Sequence, residues 1–121
     1  MVIQYVQDVR GVDIGGGPTP AVVTSVRLNP TGDATAVAAV AGKQIIILAL
    51  TYLETAAGTS LDFKTDDATG AVVFGQLLAA DGFVVLPFNP FGWGDPTVAG
   101  EALFMDLDGG EWDIHLTYAE V

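Results

Sequence analysis

Gln44-Ile45-Ile46-Ile47-Leu48-Ala49-Leu50-Thr51-Tyr52-Leu53-Glu54 is the strongest strand signal in this chain of 121 residues. β-branched and aromatic side chains dominate it, and its apolar run is unbroken, which points to burial on both faces. The next residues, Ala56-Ala57-Gly58-Thr59, read as a turn. Residues 60–65 then alternate, with Leu61 and Phe63 on one side and Asp62 and Lys64 on the other. This block is therefore expected to be two strands joined by a turn.

Working outward, residues 21–28 have strand composition. Asn29-Pro30-Thr31-Gly32-Asp33 carries the Pro, Gly, Asn and Asp of a turn; the alanine-rich residues 34–41 are compatible with a helix, but their flanks, Gly32-Asp33 and Gly42-Lys43, favour a short strand between turns. Asp66-Asp67-Ala68-Thr69-Gly70 turns the chain again. Residues 71–79 and 82–88 are apolar runs meeting at Asp81-Gly82, a hairpin signal. Residues 101–108 and 111–121 read as strands joined by a hairpin turn at Asp108-Gly109-Gly110. In the last strand Trp112, Ile114, Leu116 and Tyr118 share one face, and Asp113, His115 and Thr117 the other. No segment has the periodicity of an amphipathic helix. The expected fold is all-β: an antiparallel β-sandwich or jelly roll of about eight strands over residues 21–121.

Residues 1–20 contain Gly15-Gly16-Gly17-Pro18-Thr19-Pro20 and read as an irregular N-terminal arm; the alternative is a plain strand over the loosely alternating residues 1–9 followed by a long loop. Its Val2, Ile3, Tyr5, Val6, Arg10, Val12 and Ile14 are the candidates for partner contact. The other irregular stretch is Leu86-Pro87-Phe88-Asn89-Pro90-Phe91-Gly92-Trp93-Gly94-Asp95-Pro96. Its prolines fix φ and remove donors, so no regular ladder passes through it. Its aromatic groups are too large to be left in water without purpose. Phe88, Pro90, Phe91 and Trp93 are the candidate packing or interface residues. A sugar platform built on Trp93 beside Asp95 is the alternative.

Charge narrows the function. The net charge is −11, and residues 65–121 hold ten acids with no Lys or Arg. That half repels nucleic acid and anionic lipid, so neither is an expected partner. There is no cysteine, hence no disulfide and no thiolate chemistry. The longest apolar run is too short for a bilayer span, and the first residues lack a signal-peptide pattern, so a soluble protein made in the cytoplasm is expected.

Chemistry-bearing groups are sparse. His115 is the single histidine, and neither serine (Ser25, Ser60) lies in a nucleophile-elbow motif. Asp106-Leu107-Asp108-Gly109-Gly110-Glu111 is too short for a calcium-binding EF-hand loop and reads as turn acids, as does Asp66-Asp67. The glycine run at 15–17 lacks the Lys and Ser/Thr of a phosphate loop. No catalytic residue, metal site or cofactor is expected.

The stretch Val85-Leu86-Pro87-Phe88-Asn89-Pro90-Phe91-Gly92-Trp93, followed by Ala99-Gly100-Glu101-Ala102-Leu103, resembles a pattern in small structural proteins of tailed bacteriophages. There an LPFNP-x-GW stretch precedes GEAL, and the chain ends in a strand similar to residues 115–121. The likeness spans residues 37–121, including Val40-Ala41-Gly42-Lys43, and is absent from the first twenty. It implies a virion protein of the capsid decoration (cement) type: a homotrimer of β-sandwich or jelly-roll subunits on the capsid surface, bound to the major capsid protein. The alternative is a fibre or receptor-binding module that recognises cell-surface glycans.

Overall fold

The computed structural model describes the backbone of residues 2–6, 19–78 and 83–121, with side chains for 22–55, 60–78 and 84–121. All regular structure in it is β: β1 (Val2–Val6), β2 (Thr19–Leu28), β3 (Ala34–Val37), β4 (Ile45–Thr65), β5 (Val72–Leu78), β6 (Phe83–Leu86) and β7 (Leu103–Glu120). Every pairing is antiparallel. The path β1-β2-β7-β4-β5 makes one curled sheet, with β3 also on β7 and β6 also on β4.

Among the described residues seven strands stand where about eight were expected: two mergers leave six from Thr19 onward, and β1, inside the expected irregular arm, is the seventh. The predicted turns at 56–59 and 108–110 are not turns. β4 runs 21 residues through the first, and β7 runs 18 through the second. The two segments lie opposite each other, with Ala56 paired to Glu111 and Gly58 to Gly109. The register slips between Glu54 and Ala56 and again between Gly58 and Ser60. Extra residues of this kind bend a strand and increase its twist. On the β7 side, Gly109 and Gly110 have φ of 79° and 83°, a left-handed conformation that a Cβ would penalise. Both strands thus bend at one level, and the turn-like composition serves a corner in a continuous ribbon.

The bend divides the ribbon into two halves. In the near half, residues 45–54 of β4 and 112–120 of β7 pair with each other and are flanked by β6 on one side and β2 with β1 on the other. In the far half, residues 60–65 and 103–108 are flanked by β5 and β3. One core takes side chains from both. Ile45, Ile47, Leu50, Tyr52, Trp112, Ile114 and Leu116 come from the near half, and Leu61, Phe63, Leu103 and Met105 from the far half. Burial of each such side chain contributes about 1.5–3 kcal/mol, so the curl is held mainly by this shared core. Tyr52 and Trp112 meet in it as a tilted pair at 5.9 Å.

The unbroken run at 45–48 is buried on both faces, as its sequence implied. Ile45 and Ile47 face the shared core. Ile46 and Leu48 join Val23 and Ala119 in a second apolar cluster on the opposite side of the near half. The expected alternation of β7 also holds: Trp112, Ile114 and Leu116 are buried, while His115 is exposed.

Candidate functional site

After β6 the chain leaves regular structure but not the sheet. Pro87 and Pro90 offer no donors, and the ladder breaks down to a single bridge, Trp93 with Ile47. Residues 87–102 still follow the edge of β4. The amides of Asn89, Trp93 and Thr97 donate to the carbonyls of Leu48, Ile47 and Ile45 at 2.8, 2.8 and 3.0 Å. The same segment reaches the far half, where the Asp95 amide donates to Val73 at 2.7 Å and the Ala102 carbonyl accepts from Asp66 at 2.8 Å. It is a strap across the edge between the two halves.

Thr97 is its buried fastening. Fully enclosed, it accepts the Ile45 amide on Oγ1 at 2.8 Å while its own amide donates back to Ile45. The neighbouring Val98 amide donates to Thr65 Oγ1 at 3.0 Å. Buried polar groups left unpaired are costly, so this reciprocal pairing keeps the strap against β4.

The aromatic stretch divides by role. Trp93 is half-buried and packs on the shared core; its ring stands 6.3 Å from that of Phe74 on β5, tilted by 45°. Its Nε1–H donates to the Pro87 carbonyl at 2.8 Å. Asn89 braces the loop between them, accepting the Phe91 amide on Oδ1 at 3.0 Å and donating from Nδ2 to the Gly92 carbonyl at 3.2 Å. Gly94 has φ 73° and abuts Val73 and Phe74 so closely that no Cβ fits. Phe88, 49% exposed, and Phe91, 61% exposed, project from this braced loop, with Pro90 exposed between them. Of the four candidates, Trp93 anchors and the other three are presented to solvent.

The outer face of the near half adjoins that loop. Residues paired across the ladder share a face, which sets out a row Val85, Thr51, His115 and Arg27 on β6, β4, β7 and β2. Val85 is 55% exposed. Arg27 grips Asp113 with a two-pronged contact, Nε to Oδ1 at 3.0 Å and Nη2 to Oδ2 at 2.8 Å. The hydrogen bond from Arg27 holds the Asp113 carboxyl below its ordinary value, and the same bond raises the guanidinium. His115 Nε2 lies 3.9 Å from Asp113 Oδ1. Beside this row the Ser25 and Thr117 hydroxyls share a hydrogen bond at 2.9 Å, so the nearest hydroxyl contact of Ser25 is a threonine rather than the histidine.

Two further acids, Asp106 and Asp67, hold local structure together. Lys64 Nζ contacts Asp106 Oδ2 at 2.6 Å and the Ala68 carbonyl at 2.9 Å, and the Asp106 contact raises its pKa first of all. Asp67 accepts both the hydroxyl and the amide of Thr69 inside the β4–β5 turn, which lowers its carboxyl. Among the described residues no group of three or more His, Cys, Asp or Glu side chains converges as metal ligands. No helix among them is long and apolar enough to cross a membrane.

Of the expected arm, Val2, Ile3, Tyr5 and Val6 fall in β1, whose backbone pairs with β2 from Val2 opposite Val23 to Val6 opposite Thr19. Arg10, Val12 and Ile14 lie outside the described residues, as does the Asp81-Gly82 hairpin signal. Sequence reasoning missed Thr97, Val85 and Arg27. Thr97 carries no local signal. Val85 was legible by alternation within its run, whereas the position of Arg27 beside Asp113 depends on the β2–β7 register. No protein-family model, curated protein or solved structure matches this chain.

Proposed function

We propose that this chain is a non-enzymatic assembly protein, a capsid decoration protein that binds the outer shell of a tailed phage as a homotrimer and stabilises it. The observation that carries the reading is the braced loop at 87–93. It holds Phe88 and Phe91 in solvent on a backbone fixed by Trp93 and Asn89. Rigid aromatic groups presented in advance lose little entropy on docking, and aromatics are enriched in interfaces. The resemblance of residues 85–93 and 99–103 to phage structural proteins supplies the rest: the jelly-roll or sandwich class, the trimer and the major capsid protein as partner. A core fed by both halves of a curled sheet is compatible with that class.

Acidic charge spread over the remaining surface suits a particle coat, because it limits aggregation and adhesion to nucleic acid. The test is the number of copies in purified particles, measured by quantitative mass spectrometry. Hundreds of copies per particle are expected. A few dozen or fewer favour the glycan-binding fibre, and absence from particles overturns both readings. Removal of residues 2–17 is expected to abolish binding to the shell while leaving self-association.

A further inference from the structure

β1 ends the sheet and pairs with β2 alone. The ladder between them is short, running from Val2 opposite Val23 to Val6 opposite Thr19, and Pro20, opposite Tyr5, offers it no donor. The edge it covers nevertheless needs a cover. From Ala21 to Val26 β2 carries neither charge nor proline, the usual guards of an open edge. Apolar surface also reaches that edge: Val22 is exposed, and Val23 is buried with Ile46, Leu48 and Ala119 in the second cluster.

The connection between the two strands is unusual for its length. Residues 7–18 join them, a stretch of sequence with four glycines. Antiparallel neighbours are ordinarily joined by about two to five residues. A link of this length spans up to about 40 Å. A chain of 121 residues folds to a body about 35 Å across. The link is longer than pairing within one chain requires, and long enough to reach the next chain.

We infer that β1 is an exchangeable strand, which in the assembled protein leaves its own β2 and pairs with β2 of a neighbouring copy. The inference deepens the assembly reading above and rests on its oligomer. The occupant is the Val2–Val6 strand of a second copy, because the same residues in the same register already fit this edge. In a single chain the tether holds β1 near its own β2 at an effective concentration on the order of millimolar, so the pairing closes on itself. Inside an oligomer a neighbour's β1, on an identical link, reaches a comparable concentration. The rungs formed equal the rungs broken, so exchange costs little. A closed ring of exchanges leaves every β2 edge covered and ties each copy to the next. Exchange follows association and is not its cause, so the oligomer persists without the arm.

Because the chain has no cysteine, an introduced pair reports the pairing without interference. Two double variants are made, Ile3→Cys with Val22→Cys and Gln4→Cys with Ala21→Cys. Adjacent rungs of an antiparallel ladder alternate in geometry, so one of the two suits a disulfide. Each full-length variant is separated by size under reducing conditions, oxidised, and run on a denaturing gel without reductant. Oligomeric fractions are expected to give covalent multiples of 12.5 kDa that are lost on reduction, and dilute monomer a single-chain bridge. Ile3→Cys with Thr35→Cys, on β3 and off the rung, should give no such ladder. Replacing residues 7–18 of the bridging variant by Asn-Gly leaves a tight hairpin and should return the covalent species to single chains while the oligomer remains.

Single-chain bridges alone in oligomeric fractions, no bridge at either rung, or an equal ladder from the Thr35 control overturns the exchange. The same far-ultraviolet circular dichroism as wild type shows that each reduced variant is folded. Incorporation into particles with single-chain bridges alone removes the exchange and leaves decoration standing. A chain that is monomeric at every concentration and absent from particles removes both.

Discussion

Replacement of Trp93 by alanine tests whether the aromatic loop is anchored in the core or merely rests on the surface. Truncating a fully buried aromatic residue costs about 3–5 kcal/mol. Trp93 is half-buried, and its loss removes the tilted contact with Phe74 together with the Nε1–H bond to Pro87. A cost of about 2–3 kcal/mol follows, because the outer part of the ring is already hydrated in the folded state. For a domain of this size that lowers Tm by about 6–15 °C. Trp93→Phe keeps most of the ring and loses the donor, so about 1 kcal/mol is expected. Phe91→Ala removes a ring that is 61% exposed and should change stability by less than about 0.5 kcal/mol. Urea denaturation followed by circular dichroism measures all three. If Trp93→Ala and Phe91→Ala fall within about 0.5 kcal/mol of each other, Trp93 is no anchor and the loop is not braced as described.

Thr97→Val keeps the shape of the side chain but leaves the Ile45 amide without its acceptor; about 1–3 kcal/mol should be lost, with faster amide exchange at Ile45. Gly109→Ala puts a Cβ where φ is 79° and should cost about 1–2 kcal/mol by chemical denaturation, whereas a residue in an ordinary extended strand would cost nothing. Asp113 and Asp67 both have folded pKa values below the ordinary 3.8, so their stabilisation is present above that value and lost as pH falls through the depressed one. The stability deficit of Asp113→Asn relative to wild type should therefore hold near neutrality and shrink below about pH 4, as read from denaturation midpoints over a pH series.

The strand faces were legible because alternation is a local property: Trp112, Ile114 and Leu116 must turn the same way once the segment is extended. The double burial of residues 45–48 was legible for the same kind of reason. The bends were not. Alanine and glycine at 56–58 and at 109–110 look alike whether the chain reverses or merely bends, and only the pairing of Gly58 with Gly109 distinguishes the two. That pairing joins residues 51 positions apart, beyond the reach of any local signal. At the site, Trp93 could be read as a packing group from its place among prolines and glycines. Its partner Phe74 could not, since their meeting depends on the strap reaching β5. Thr97 was invisible because a threonine in a polar stretch shows nothing of its eventual enclosure.

For the proposed decoration role, the most direct test is a cryo-EM map of phage particles purified with this chain. Density for threefold clusters of the domain over the outer shell is predicted, with the Phe88–Phe91 loop enclosed in a protein contact. Density confined to the tail or fibres, or clusters in which that loop stands open to solvent, would contradict it.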